Sequence, residues 1–268
     1  MTIEAFAPAK INLTLHVTGQ RDDGYHLLDS LVVFADVGDR LTIEPALQMR
    51  LEVTGPFRVG VPGDARNLVW RAADLSGTKA HVTLEKNLPH GAGIGGGSSD
   101  AAAMLRVLGA ERHALSLGAD VPVCLLDIPQ RMGGIGEDVS PVGGVPALDM
   151  VLVNPGVHVP TPDVFKRLRQ KDNPPMAERL AWPDRSVFIA WLLEQRNDLQ
   201  AAAASGNPAI PAALKTLADA EVSRMSGSGS TCFGIYPDAP SAQAAADRIA
   251  AAQPRWWVRA VRTTPSLS

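Results

Sequence analysis

Five glycines within seven positions, Gly91, Gly93, Gly95, Gly96 and Gly97, restrict this chain more than any other feature. They lie in the segment Leu88-Pro-His-Gly-Ala-Gly-Ile-Gly-Gly-Gly-Ser-Ser-Asp100. A strand-like run, His81 to Leu84, precedes it, and a helix-forming run rich in alanine and leucine follows. Ser98, Ser99 or Asp100 can each cap that helix, because their oxygens accept from the unpaired N–H groups of a first turn. Strand, glycine loop and helix N-terminus in succession make an anion site. Glycine leaves backbone donors open to phosphate oxygens, and the helix end adds free N–H groups and partial positive charge.

Several phosphate-binding classes drop out. Gly91-x-Gly93-x-x-Gly96 satisfies the dinucleotide pattern, but it begins at residue 91 and no acidic residue ends a second strand about 20 residues on. No Gly-Lys-Ser/Thr exists for a Walker A loop, and neither His-Arg-Asp nor Asp-Phe-Gly is present for a protein kinase. With 25 Lys+Arg against 28 Asp+Glu and no basic run, the chain is not built to wrap a nucleic acid. No apolar stretch nears the ~20 residues of a membrane span, and the N-terminus lacks a secretory pattern. Cys124 and Cys232 offer neither a disulfide scaffold nor C-x-x-C spacing. His16, His81, His90, His113 and His158 lack the H-x-x-H or H-E-x-x-H spacing of a metal site. These features predict a cytoplasmic protein without nucleic-acid or membrane partners.

Eight of the 21 prolines fall between Pro141 and Pro183, which places an expected boundary near residue 148, with halves 1–148 and 149–268. In the first half Ala9 to Val17, Leu27 to Ala35 and Arg40 to Glu44 read as strands, and Asn67 to Leu75 as a helix. In the second, a helix is expected over Ala212 to Ala220. A strand at Thr231 to Tyr236, a helix capped by Ser241 and a strand at Trp256 to Val261 follow. The fold class is α+β.

Three segments in order resemble the GHMP small-molecule kinases: Pro8-Ala-Lys10-Ile-Asn12-Leu, the glycine loop from Pro89 to Ser99, and Met225-Ser-Gly-Ser-Gly-Ser-Thr231. Asp23-Gly-Tyr-His26, Gly118-Ala-Asp-Val-Pro122 and Pro155-Gly-Val-x-Val-Pro-Thr-Pro-x-Val-Phe165 are similar to the branch acting on a diphosphocytidyl-methylerythritol. The resemblance implies a two-domain GHMP kinase fold with its active site in the interdomain cleft. Its N-terminal domain, 1–148, would carry the ATP loop and catalytic residues, and its C-terminal domain, 149–268, would be α+β and ferredoxin-like. The implied reaction moves the ATP γ-phosphoryl group to the 2-hydroxyl of the methylerythritol unit, in non-mevalonate isoprenoid synthesis.

By the same resemblance Lys10 and Asp120 are the catalytic pair. Pro89, His90, Gly91, Ala92, Gly93, Ile94, Gly95, Gly96, Gly97, Ser98 and Ser99 hold the triphosphate. Asn67 and Lys86 lie near the adenine. Asn12 meets the methylerythritol hydroxyls, and Tyr25, His26 and Phe165 take the cytosine, since aromatic rings stack on bases. Ser228 belongs to a second small-residue loop that closes on substrate or phosphate. Mg2+ accompanies ATP, with a Ser98 or Ser99 hydroxyl near it and no dense carboxylate cluster required. Family members carry a longer stretch than this chain between Ala102 and Gly118, with an extra helix. If that helix supports Asp120, its loss displaces the carboxylate; the intact motifs at both ends predict that activity survives. Three readings compete: a kinase of another small alcohol, a silent nucleotide binder, and, last, a nicotinamide oxidoreductase.

Overall fold

The computed structural model describes residues 1–177 and 182–266. They form an α+β chain that gathers into two compact units. The first takes Met1–Lys10, Val37–His90 and Gly95–Asp127, and the second takes the described residues of Ile11–Asp36, Gly91–Ile94 and Ile128–Ser268. Compaction therefore follows a different line from the single cut near residue 148. Strands β1 (Ile3–Asn12) and β3 (His26–Pro45) each give residues to both units.

In the first unit, Arg40–Pro45 of β3 pairs antiparallel with β5 (Ala80–Glu85), and β4 (Arg50–Thr54) lies parallel to β5. Ala80, Val82 and Leu84 alternate inward along β5, the period-two pattern of a half-buried strand. Helix α1 (Leu68–Ser76) packs on α2 (Gly96–Leu108), whose Ala101, Ala102 and Ala103 are wholly buried and small enough for close helix approach. Short α3 (Ala114–Leu117) follows.

In the second unit, β2 (His16–Gln20), the first part of β3, β6 (Gln130–Gly134) and β7 (Asp138–Pro141) pair antiparallel in succession. A separate antiparallel sheet runs in the order β11 (Trp257–Arg262), β8 (Asp149–Asn154), β10 (Cys232–Tyr236), β9 (Val222–Met225). Helices α4 (Thr161–Arg167), α6 (Leu199–Gly206), α7 (Ala209–Thr216) and α8 (Ala239–Ala252) share its apolar core, which includes Val153, Leu199, Ile210, Leu217 and Ile249. Helix α5 (Arg185–Leu193) gathers Trp182, Phe188 and Trp191 into an aromatic cluster with ring centroids 5.0 to 5.9 Å apart.

Five local expectations are corrected. The strand foreseen over Ala9 to Val17 is broken between Asn12 and His16, where the Thr14 hydroxyl accepts the Leu31 N–H at 2.7 Å and replaces a ladder bond. Leu27 to Ala35 and Arg40 to Glu44 are one strand, His26–Pro45, with Asp39 wholly buried within it. Helix α2 begins at Gly96 with Gly95 as its cap at φ 66°, so none of Ser98, Ser99 and Asp100 caps it. Asp238, not Ser241, caps α8, by accepting from the Ser241 N–H at 2.8 Å. The helix placed over Ala212 to Ala220 runs instead over Ala209–Thr216, where Asn207 Oδ1 takes the Ala209 N–H at 3.1 Å.

Candidate active site

Lys10 ends the part of β1 that belongs to the first unit, and its ammonium donates to Asp120 Oδ2 at 2.9 Å. The lysine side chain is 4% exposed and the aspartate 45%. A sheltered cation thus orients a half-exposed carboxylate. The short stretch before Asp120 leaves the contact with Lys10 in place. After α2 the chain takes a single 3-10 turn, Glu111–His113, then α3, then a second 3-10 turn, Pro122–Leu125. Arg106 of α2 ties this return down, donating to Cys124 O at 2.8 Å, Phe6 O at 3.1 Å and Asp127 Oδ1 at 3.2 Å. No sequence motif marks Arg106 for this work.

The glycine loop is shared between the units by residue. Gly91–Ile94 belongs to the second, where Gly93 O accepts from Ser226 Oγ at 2.8 Å and Ala92 O from Thr231 N at 3.0 Å. Gly95–Ser99 belongs to the first and opens α2, whose N-terminal donors suit an anion. At Gly95 a Cβ would come within 2.9 Å of Lys10 Cβ, so the loop passes this lysine at glycine distance. Pro89 and His90 close the first-unit side of the loop. Gly97 is exposed and Ser98 half-buried, while the Ser99 hydroxyl is buried without a partner.

Two residues expected near the adenine have their polar atoms engaged inside the protein. Asn67 caps α1, accepting from Val69 N at 2.9 Å and donating to Pro62 O at 2.8 Å. Lys86, 3% exposed, donates to Asp39 Oδ2 and, at 2.6 Å, to Asp100 Oδ2. Burial pulls the lysine pKa down, but the Asp100 and Asp39 charges outweigh it and leave it raised. Burial also lifts the Asp100 carboxyl above the usual range.

In the second unit, Asn12 donates to Ser30 Oγ at 2.8 Å through its amide, and its N–H reaches Ser226 Oγ at 3.1 Å. Asn12 Oδ1 is buried with no partner among the protein groups. His26 stacks on Phe165 with centroids 4.6 Å apart and planes 22° apart, and its Nε2 is likewise unpartnered. Tyr25, next to His26 in sequence, is 59% exposed. Ser228 shares a 2.7 Å hydrogen bond with Thr161 Oγ1 at the start of α4, a threonine of the Pro155–Phe165 motif to which the sequence assigns no role of its own.

Two histidines of this unit make stability depend on pH. Burial, then Arg196, lowers His16 below 6.5, and burial, then Lys171, lowers His26. The unfolded chain therefore binds more protons than the folded one below about 6.5, so stability is lost as pH falls through that range. Asp100, its carboxyl lifted by burial, acts in the opposite sense, so the histidine effect is read by difference: between pH 7.5 and 5.5 the wild-type Tm should fall relative to that of His16→Asn. An unchanged slope in the variant would rule this out.

Among the described residues, no three His, Cys, Asp or Glu side chains are placed to share a metal ion, and no helix is long and apolar enough to cross a membrane.

Comparison with known proteins matches the family model for the GHMP kinases N-terminal domain to residues 67–127, and that for the GHMP kinases C-terminal domain to residues 177–255. The fold and the glycine loop thus define a GHMP kinase. A 4-diphosphocytidyl-2-C-methyl-D-erythritol kinase of Paracoccus denitrificans is 54% identical, over 97% of this chain and 96% of its own length. One of Dinoroseobacter shibae is also 54% identical, covering 96% and 93%. The crystal structure of a 4-(cytidine 5'-diphospho)-2C-methyl-D-erythritol kinase superposes with a TM-score of 0.79 at 32% identity, over 98% of this chain and all of that one. The chain belongs to the 4-diphosphocytidyl-2-C-methyl-D-erythritol kinase family.

Proposed function

We propose that this protein transfers the γ-phosphoryl group of ATP to the 2-hydroxyl of 4-diphosphocytidyl-2-C-methyl-D-erythritol, within non-mevalonate isoprenoid synthesis. The observation that carries the chemistry is the 2.9 Å contact between buried Lys10 and accessible Asp120. An alcohol is a weak nucleophile, and a carboxylate that accepts its proton while orienting its oxygen serves phosphoryl transfer in both ways. Lys10 holds Asp120 in place through their 2.9 Å contact, and its charge offsets the negative charge that develops as the phosphoryl group moves. The bond from the acceptor oxygen to γ-phosphorus forms, the bond from γ-phosphorus to the bridging oxygen breaks, and ADP leaves.

Backbone N–H groups from Gly91 to Gly97 and the N-terminus of α2 hold the phosphates, with Pro89 and His90 at the loop entrance. Mg2+ bound with ATP supplies charge neutralisation at the phosphate oxygens. Ser98, half-buried, is the hydroxyl open to a hydrated cation, whereas Ser99 is sealed off. Asn67 and Lys86 serve the nucleotide by shaping its surroundings. Asn12 Oδ1 takes an acceptor hydroxyl, Tyr25 and the His26–Phe165 pair take the cytosine, and Ser228 steadies its loop through Thr161. The family matches fall on either side of residue 148, which supports a sequence-level division into 1–148 and 149–268. Buried, unpaired Cys124 and Cys232 suit a reducing cytoplasm.

A coupled ADP-release assay with a panel of alcohols tests this reading. The cytidyl-methylerythritol substrate should give ADP, and mevalonate and homoserine should not, since neither has a base to stack. No ADP from the cytidyl substrate would sink the proposal. Tyr25→Ala should raise KM for this acceptor about 5- to 100-fold, the effect of losing one base-stacking contact, with kcat little changed. A comparable loss in kcat would remove Tyr25 from the cytosine site.

A further inference from the structure

Three charges are buried together in the first unit: Asp39 on β3 at 0% exposure, Lys86 just past β5 at 3%, and Asp100 in α2 at 3%. Each side chain bonds a different stretch around the glycine loop. Asp39 Oδ1 accepts the backbone N–H of Asn87 at 2.5 Å and of Leu88 at 2.9 Å, the residues entering the loop. Asp39 Oδ2 accepts from Lys86, and the same ammonium reaches Asp100 Oδ2 at 2.6 Å, in the helix that leaves the loop. The Lys86 backbone is pinned as well, with its N–H on Thr54 O at 2.9 Å and its carbonyl accepting from Phe57 N at 3.1 Å. Gly55, at φ 86°, runs so near this backbone that a Cβ would lie 2.6 Å from Lys86 O.

Burying two carboxylates around one ammonium is a poor route to stability, since apolar residues of similar size do as well or better. Groups held this way set geometry. Resting on the reading that the loop binds ATP, we propose that Asp39, Lys86 and Asp100 are positioning residues that fix the entrance and exit of the glycine loop relative to each other and so set the affinity for ATP. Lys86 acts through the two carboxylates and not on the adenine.

Isothermal titration of the full chain with MgATP, beside steady-state kinetics, tests the triad. Asp100→Asn keeps the side-chain shape and the Lys86–Asp39 contact, so it guards against loss of folding. Lys86→Met and Asp39→Asn complete the set, each checked by far-UV circular dichroism. All three should raise Kd for ATP at least fivefold with KM for the acceptor within twofold of wild type. The ATP-to-GTP preference should be unchanged, and Lys86→Met/Asp100→Asn should be no weaker than Lys86→Met alone. A lower Tm with unaltered Kd would reduce the triad to a structural role. A changed ATP-to-GTP preference in Lys86→Met only would place Lys86 on the base. Either result overturns the proposal. A wild-type chain that binds ATP but phosphorylates nothing would refute the functional reading and leave the Kd comparison intact. One that binds no ATP would refute both.

Discussion

Replacing Asp120 with alanine is expected to lower kcat about 10²- to 10⁴-fold, the range lost when a positioned general base is removed. The side chain is 45% exposed and bonds the Lys10 ammonium, so the fold should tolerate the change. Tm should therefore move little while turnover collapses. Lys10→Ala should cost kcat on the same scale, but with a lower Tm, because its stem is buried among the strands of the first unit. Since the pair works as one device, the double variant should be barely slower than the worse single one. A single-turnover ADP measurement separates these cases. An Asp120→Ala enzyme within about threefold of wild type would exclude the carboxylate from the chemistry, given that general-base effects begin near 10²-fold.

Gly93→Ala should be nearly as damaging by another route. Gly93 has φ 73°, a conformation that costs a residue with a Cβ about 1 to 2 kcal/mol. There is also no space: a Cβ would press on Ser226 O and lie 2.8 Å from Gly229 O and 2.9 Å from Gly229 N. These are backbone atoms of a loop that is itself tied to Gly93 through Ser226 Oγ, so no side chain can swing aside. The expected result is an enzyme with KM for ATP raised well over tenfold and a reduced Tm. Gly97→Ala is the matched control for stability. That position has helical backbone inside α2 and only Leu68 Cδ1 at 4.0 Å, so alanine should leave Tm unchanged or raise it. Equal losses of Tm at both positions would mean that backbone conformation is not what the glycines supply.

Much of the site was legible because its chemistry is local. Glycines before a serine pair mark a phosphate loop within about a dozen residues, and Asp-Gly-Tyr-His presents its own turn and rings. What was missed is long-range. No motif marks Asp39, and Arg40 beside it is the nearest opposite charge in sequence. Its partners are Lys86 and Asp100, 47 and 61 positions on, and only folding brings them together. The same holds for Arg106, whose value lies in carbonyls of a distant return segment, and for Thr161 opposite Ser228. The cap of α2 failed for a subtler reason. Serine side chains announce a helix start, but a glycine in left-handed conformation can begin one earlier and leaves no side-chain signal.

The tryptophan distribution bears on how this enzyme can be followed in solution. Of five tryptophans, Trp182, Trp191, Trp256 and Trp257 lie in the second unit and Trp70 alone in the first. Emission during denaturation will thus report mainly on the second unit, dominated by the Trp182–Phe188–Trp191 cluster. Lys10, Asp120 and the Asp39–Lys86–Asp100 triad belong to the first. A fluorescence melt that runs ahead of or behind the far-UV signal would reveal separate unfolding of the two units, whereas superimposed curves would show a single cooperative transition.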